Sequence, residues 1–459
     1  MDHDLVVIGG GTAGLGAALA AAAAGARTLL VSEGEIGGEC TFTGCVPSKT
    51  LIEAAARGAT YPDAIAAVRR VVAAIAATVA AEVRAAEGIE VLRGRAVFVS
   101  PGEISVDGRA VRARRFIIAT GSWPAVPPVP GLAETDYLTN ETVFGLDELP
   151  GRLTVLGAGA VGCELAQAFA RLGSQVTLIE AALRLLPTAD PAASQVVEGV
   201  FRAEGISVRT GVAVASVKHH EDGVTLCLAS GEEAAGDQLL VATGRDPVTG
   251  HLGLEEAGVR LDERGYVVTD RHLATTAPGI YAAGDVTGRM LFTHAADAMG
   301  RLAARNALRH RWSPPGAFAT TAIPWVIFTN PEVAQVGLTE AQAAAAHAGA
   351  RVAFLPMSEA DRAVTAGRTE GFVKIIAGRR RVLGAAGGGR VLGATMVAAR
   401  AGEMIHETAL AMRTGMFTGR LAQTTHAYPI WSLAVQQVAA QFFGQFGGRT
   451  ARPAESGPS

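Results

Sequence analysis

Leu5-Val6-Val7-Ile8-Gly9-Gly10-Gly11-Thr12-Ala13-Gly14 runs from an apolar strand through a glycine turn into an alanine-rich helix. Four consecutive aliphatic residues fit a strand buried on both faces of a parallel sheet. Gly9, Gly11 and Gly14 spell G-x-G-x-x-G, a turn whose backbone amides can approach a pyrophosphate at the positive end of a helix. Alone that motif is weak, because any tight turn uses glycine. The strand Thr28 to Glu33 strengthens it, closing a βαβ unit on a carboxylate placed to accept the hydroxyls of an adenosine ribose.

The same grammar returns further along. Leu153 to Leu156 reads as a strand, Gly157, Gly159 and Gly162 as the turn, a helix follows to Leu172, and the strand Gln175 to Glu180 closes the unit. Two units imply two dinucleotides. Glu180 precedes Ala181 and Ala182, with no arginine before Arg184. A carboxylate there favours a free ribose 2′-hydroxyl and repels a 2′-phosphate, so NADH is expected over NADPH.

With 459 residues, 49% of them hydrophobic and 18% charged, the chain is an ordinary globular protein too long for one core. A net charge of −3 gives no footprint for nucleic acid or a membrane surface. The triplet Arg379 to Arg381 reads as a solvated turn. The alanine run from Ala17 to Ala24 is too short for a membrane span, and Tyr61 to Ala86 reads as a packed amphipathic helix. Without a basic leader segment the expected location is cytoplasmic. From about Ala317 the pattern changes to an α+β module, with strands Ala322 to Phe328 and Gly371 to Ile376 and helices Gly402 to Thr414 and Ile430 to Phe443.

Between the two nucleotide units lies Gly37-Gly38-Glu39-Cys40-Thr41-Phe42-Thr43-Gly44-Cys45-Val46-Pro47-Ser48-Lys49. Five residues of ideal helix advance about 7.5 Å, beyond the roughly 7 Å between Cα atoms that a disulfide tolerates. Bridging Cys40 and Cys45 therefore requires a distorted turn, which Gly44 permits, and a strained or exposed bridge is readily reduced. Two unpaired thiols or half a zinc site are the alternatives. No second Cys/His pair stands at finger-like spacing, so no resident metal is expected. Cys163 and Cys227 read as buried small hydrophobes, and His294 and His406 as structural or surface residues.

Two dinucleotide fingerprints flanking G-G-x-C-x-x-x-x-C-x-P-S-K resemble the flavoprotein disulfide reductases, the class I pyridine nucleotide-disulfide oxidoreductases that include mercuric reductases and dihydrolipoyl dehydrogenases. The resemblance implies an α/β fold with two Rossmann-like dinucleotide-binding domains, the NAD domain inserted in the FAD domain, and a C-terminal α+β dimerisation domain. The corresponding segments are 1–149 and 273–316 for FAD, 150–272 for NAD(H), 317–446 for the homodimer interface, and 447–459 as a disordered tail. It further implies that Gly9, Gly11, Gly14 and Glu33 hold FAD, and that Gly157, Gly159, Gly162 and Glu180 hold NADH. Cys45 becomes the flavin-proximal thiol and Cys40 the interchange thiol. Lys49 and Glu164 form an ion pair beside the flavin. Ala119-Thr120-Gly121 and its echo Ala242-Thr243-Gly244 mark the domain crossings, and Gly284-Asp285 receives the ribityl chain.

One stretch departs from the family. Disulfide-reducing members carry H-P-T-x-x-E near the C-terminus, the histidine shuttling protons. Here the stretch reads Thr425-His426-Ala427-Tyr428-Pro429-Ile430-Trp431-Ser432-Leu433, so Tyr428 stands for the histidine and Leu433 for the glutamate. Mercuric reductases also place a tyrosine there, but their paired C-terminal cysteines and N-terminal metal-binding domain have no counterpart in this sequence. The expected activity is electron transfer from NADH through FAD to the Cys40–Cys45 disulfide and on to a small-molecule acceptor: a soft metal ion such as mercuric ion, a quinone or another electrophile. The alternatives are a dihydrolipoyl dehydrogenase or other small-disulfide reductase and, from another class, a redox-sensing flavoprotein subunit that does not turn over.

Overall fold

The computed structural model describes residues 3–221, 223–310, 312–379 and 388–455. It comprises two compact units: Met1–Pro127, Leu138–Glu148 and Val241–Ala319 form the first, and Pro128–Tyr137, Leu149–Leu240 and Thr320–Ser459 the second. Residues 241–272, grouped above with the NAD(H) segment, thus belong to the first unit by their contacts.

The first unit is built on a five-stranded parallel sheet. Strands β1 (Leu5–Ile8), β2 (Thr28–Ser32) and β3 (Ile89–Arg93) lie beside Phe116–Ile118 and Ile280–Ala282, in the order 280–282, 116–118, β1, β2, β3. Every residue of β1 and β2 is buried, as the apolar run of β1 and the Leu29-Leu30-Val31 centre of β2 require. Helix α1 (Thr12–Ala23) packs against Thr293–Leu308. The closeness of that contact explains the small residues: a Cβ on Gly300 would stand 2.0 Å from the carbonyl oxygen of Ala13. A three-stranded antiparallel sheet, Ala96–Ser100, Glu103–Val106 and Arg109–Arg112, supplies Phe98, Ile104 and Val111 to the core formed with Val6, Leu29 and Phe116.

Three helices follow β2: α2 (Gly38–Phe42), α3 (Cys45–Ala56) and α4 (Tyr61–Ala85). The Thr60 hydroxyl caps α4 by accepting from the Asp63 amide at 3.4 Å, and Pro62 sits in its first turn, where a missing N–H costs nothing. Only Tyr61, Ala64, Ile65, Val68 and Val83 are buried. The helix expected to be packed is therefore mostly exposed on the single chain, because its apolar residues spread around more of its circumference than α3 covers. By length and composition it is long and apolar enough to cross a membrane.

In the second unit a four-stranded sheet runs 207–210, 175–180, 152–156, 238–241, its first three strands parallel, flanked by the helices Ala160–Leu172 and Pro191–Ala203. The C-terminal module carries a six-stranded antiparallel sheet ordered 325–327, 332–337, 391–398, 372–377, 351–356, 452–453. Its helices are Ala401–Arg413, Thr418–Gln423 and Leu433–Ala440. The last is shorter than the expected 430–443, since the chain leaves Pro429 in a turn. Lys374, buried in the sheet, reaches Asp190 at 2.9 Å and Glu340 at 3.2 Å, so the module is pinned to the cap of the helix Pro191–Ala203.

The tail is not disordered as far as Glu455. Arg452–Pro453 pairs with Arg351 and Val352, Ala451 N donates to Gln441 O at 3.0 Å, and Arg452 meets Glu340. These backbone and ionic ties outweigh its loop-like composition. Residues 456–459, Arg380 and Arg381 lie outside the described residues.

Candidate redox site

The first glycine turn is shaped by backbone. Gly9 adopts φ +115°, and a Cβ on it would lie 2.2 Å from the Ala119 carbonyl oxygen; a Cβ on Gly14 would lie 1.8 Å from that of Gly9. Gly11 has nothing nearer than Gly38 Cα at 4.0 Å, leaving the amide edge of the turn open. Glu33 follows β2 and is exposed. Such a cradle, closed behind and open in front, fits the pyrophosphate of FAD.

Ala119, Thr120 and Gly121 continue from Phe116–Ile118: Ala119 N donates to Ile8 O at 2.8 Å and the Thr120 hydroxyl to Val248 O at 2.6 Å. Ser122–Pro124 pairs antiparallel with Arg245–Pro247, and Ala125 N donates to Gly244 O at 3.0 Å. The two threonine-glycine echoes thus meet along one short ribbon. Gly284, at φ +81°, turns the chain after Ile280–Ala282 and presents Asp285. The Ser122 hydroxyl donates to Asp285 Oδ2 at 2.8 Å. Burial pushes the Asp285 carboxyl above its ordinary range, with Ser122 and Arg245 only partly offsetting it. A desolvated acceptor of this kind suits a ligand hydroxyl.

The cysteines lie either side of a helix break. Thr43 (φ −137°, ψ 2°) and Gly44 (φ −116°, ψ −112°) separate α2 from α3, the distorted turn that their spacing demands. A Cβ on Gly44 would stand 3.0 Å from Glu39 O and 3.3 Å from Cys40 Cα, so the missing side chain lets α2 fold back on α3. Cys40 and Cys45 are both present as thiols. Hydrogen bonding to Cys45, then burial, drive the Cys40 thiol far up, and Thr293 and Thr12 offset only part of this. Cys45 Sγ is 3.1 Å from Thr293 Oγ1. Ionising Cys40 is therefore unfavourable with Cys45 beside it. Lys49 lies one turn beyond Cys45 on α3, on the same face.

Sequence reasoning missed a polar cluster beside Cys40. Arg245 Nη1 donates to Glu39 Oε1 at 2.6 Å, and Nη2 meets Glu39 Oε2. Arg245 Nε donates to Ser122 Oγ at 2.9 Å and Nη2 to Ser122 O at 2.6 Å, and Nη1 lies 3.4 Å from Asn140 Oδ1. Asn140 Nδ2 donates to Glu39 Oε1 at 2.7 Å and to Thr43 O at 3.3 Å. The available signals were slight: a charge directly before Cys40, and an arginine directly after Gly244.

In the second unit Gly157 adopts φ +102°, and nothing lies within 4 Å of a Cβ built on Gly159. Gly162 is buried on the helix Ala160–Leu172. Glu180 Oε2 accepts from Ala158 N at 2.7 Å and Oε1 from Ala182 N at 2.8 Å. The carboxylate thus spans the glycine turn, and each oxygen keeps a lone pair for a further donor. Arg184 gives its guanidinium to the carbonyl oxygens of Leu186, Pro187 and Ala189 at 3.3, 2.6 and 2.9 Å, and to Ser194 Oγ at 3.0 Å. Glu164, also on that helix, is buried and accepts from Phe328 N at 2.8 Å.

Cys163 is fully buried beside Glu164, as expected. Cys227 is not. It lies on the outer face of the strand Gly223–Leu228, half-exposed, with its thiol 3.7 Å from Glu233, because the strand's alternation sends Val224, Leu226 and Leu228 inward instead. His294 stacks on Phe292 at 5.8 Å, and His406 is exposed.

Tyr428 is 72% exposed, and a hydrogen bond to Asp361 holds its phenol above its usual range. His426 is the reverse. Its side chain is 4% exposed, with Nε2 3.0 Å from a Glu407 oxygen and Nδ1 2.9 Å from Thr424 O. Leu433 begins the last helix and carries no acid–base chemistry.

A family model for pyridine nucleotide-disulphide oxidoreductases matches residues 3–300, and one for their dimerisation domain matches residues 323–439. The chain is 38% identical to the mercuric reductase of Streptomyces lividans, over 96% of each chain. It is 37% identical to the dihydrolipoyl dehydrogenase of Thermus scotoductus, over 95% of this chain and 96% of that one. Its fold matches the copper(II) complex of the HOCl-induced flavoprotein disulfide reductase RclA from Escherichia coli, with a TM-score of 0.88 and 30% identity, covering 96% of this chain and 99% of that one. LpdA from Mycobacterium tuberculosis matches with a TM-score of 0.87 and 31% identity, covering 96% and 100%.

Proposed function

The chain belongs to the pyridine nucleotide-disulphide oxidoreductase family and is an FAD-dependent, NAD(P)H-linked oxidoreductase, and we propose that it takes electrons from NADH and delivers them from Cys40 and Cys45 to a soft metal ion or a quinone. The C-terminal module is the family's dimerisation domain, which supports a homodimer. Bound FAD supplies the two-electron relay between nicotinamide and cysteines. Gly9, Gly11, Gly14, Glu33 and Asp285 hold that cofactor. Gly157, Gly159, Gly162 and Glu180 hold NADH. Lys49, one turn beyond Cys45 on α3, serves the cofactor's reactive edge.

Each cycle balances as NADH, a proton and the disulfide giving NAD⁺ and the dithiol. The dithiol then passes two electrons to the acceptor and the disulfide re-forms. Cys45 carries the thiolate against the Thr293 hydroxyl, and Cys40 keeps the proton until an acceptor arrives. Thiolates favour soft metal ions, and a reducing compartment such as the cytoplasm keeps such a pair cycling.

The choice of acceptor rests on Tyr428. Exchange with a disulfide substrate needs a group near Cys40 that takes and returns a proton near neutrality. A phenol already donating to Asp361 does this poorly. His426 is no substitute, since both ring nitrogens are engaged and its side chain is buried. Steady-state NADH oxidation against mercuric and cupric ions, quinones, lipoamide and oxidised glutathione tests the reading. Turnover with metals or quinones is expected. Fast turnover with lipoamide instead would make the chain a dihydrolipoyl dehydrogenase, and no turnover with any acceptor would favour a redox sensor.

A further inference from the structure

We infer that Arg245 and Glu39 are a positioning pair for Cys40, holding the short helix that carries this thiol at the distance from Cys45 at which the two can bond. The inference rests on the reading of Cys40 and Cys45 as the redox pair.

α2 has only five residues, too few to persist on its own hydrogen bonds. Gly44 lets it fold back but, being glycine, does nothing to keep it there. Beside its packing on α3 and α4 and the buried Thr41, α2 is held by side-chain anchorage that converges on Glu39. The Glu39 carboxylate receives two guanidinium nitrogens of Arg245 and the amide of Asn140, which also holds Thr43 O at the end of α2.

Arg245 is anchored in turn. Its contacts to Glu39, Asn140 and Ser122 use Nε, Nη1 and Nη2, matching the donors of its planar fork. The Tyr266 hydroxyl donates to Arg245 O at 3.0 Å. Ser122 passes the link on to Asp285, so the thiol-bearing helix and the carboxylate assigned to the ribityl chain are fixed to one strand pair. With side chains 15% and 30% exposed, the Arg245–Glu39 pair is better shielded than a surface ion pair, and its bidentate geometry is one that lysine cannot reproduce.

Loosening this anchorage lowers the effective concentration of one thiol at the other and so shifts the equilibrium in which disulfide and two glutathiones give dithiol and oxidised glutathione. The experiment equilibrates purified FAD-loaded enzyme in glutathione buffers of graded ratio, quenches in acid, alkylates, and reads the Cys40–Cys45 disulfide fraction by peptide mass spectrometry. Arg245→Met and Glu39→Gln should each move the midpoint about tenfold toward dithiol. The double variant should move it no further than the larger single change, because both remove one interaction. Arg245→Lys should fall between wild type and Arg245→Met.

Flavin content and near-ultraviolet circular dichroism, measured on the same samples, separate this shift from unfolding. Wild-type midpoints in variants that retain FAD, or additive shifts, would overturn the inference and leave the redox pair standing. Absence of the disulfide from the wild-type enzyme in every buffer would overturn the reading of the pair itself.

Discussion

The hydroxyl of Thr293 stands 3.1 Å from the sulfur of Cys45, at the first residue of a 16-residue helix. A thiolate at that position gains a hydrogen-bond donor and the positive end of a helix dipole. Reduction by NADH should therefore give a long-wavelength thiolate-to-flavin absorption band. Cys45→Ser should remove the band and Cys40→Ser should keep it. Thr293→Val should weaken it severalfold at neutral pH by taking away the donor. A band lost only in Cys40→Ser would reverse the two roles.

Asp285 bears a cost that its ligand should relieve. Its folded carboxyl is raised above the ordinary value of 3.8, chiefly by burial. Stability is therefore complete below that value and is lost as pH rises through the raised one. In FAD-free protein Asp285→Asn should raise Tm by about 2 °C at pH 7 and change nothing near pH 3. The same variant should release FAD more readily. Thermal scans at the two pH values check the first part and flavin fluorescence on dilution the second.

On the proposed reading, Glu180 sets the nicotinamide preference. With its carboxylate spanning the turn from Ala158 to Ala182, a 2′-phosphate would meet negative charge. kcat/KM should favour NADH over NADPH by about tenfold or more, and Glu180→Gln should narrow the gap. Equal rates with both coenzymes would place the carboxylate away from the ribose.

Tyr428→His should supply the base that the proposed reading finds wanting at this position. If the missing base limits disulfide exchange, lipoamide turnover should rise by about 10²-fold while metal or quinone reduction changes little. His426→Ala should leave both activities near wild type. Lipoamide turnover of about 10 s⁻¹ or more in the unaltered enzyme would show that no base was missing.

The glycine fingerprints and the cysteine spacing were legible because covalent geometry dictates them. A Cβ at Gly9 or Gly14 has no room, and two cysteines five positions apart meet only across a broken helix. The strand Gln175–Glu180 spans the residues its sequence implies. Glu39 and Arg245 were illegible because 206 residues separate them and nothing local marks either as a partner. Composition misled at the tail, where Arg452 looks solvent-bound until strand pairing and Glu340 are seen to hold it. Periodicity misled at α4, whose apolar residues predict burial without saying which surface supplies it.

The carbonyl cage around Arg184 bears on how this enzyme can be re-engineered. A designer seeking NADPH as the reductant would look first to the nearest arginine after Glu180. That side chain is already committed to shaping the loop, and turning it outward would take this donor from the carbonyls of Pro187 and Ala189, while Leu186 O keeps the Ala189 amide. A new cation would have to come from Ala181 or Ala182, small residues beside Glu180, together with removal of the Glu180 charge. Coenzyme choice in this fold is thus better altered by adding a residue than by redirecting one.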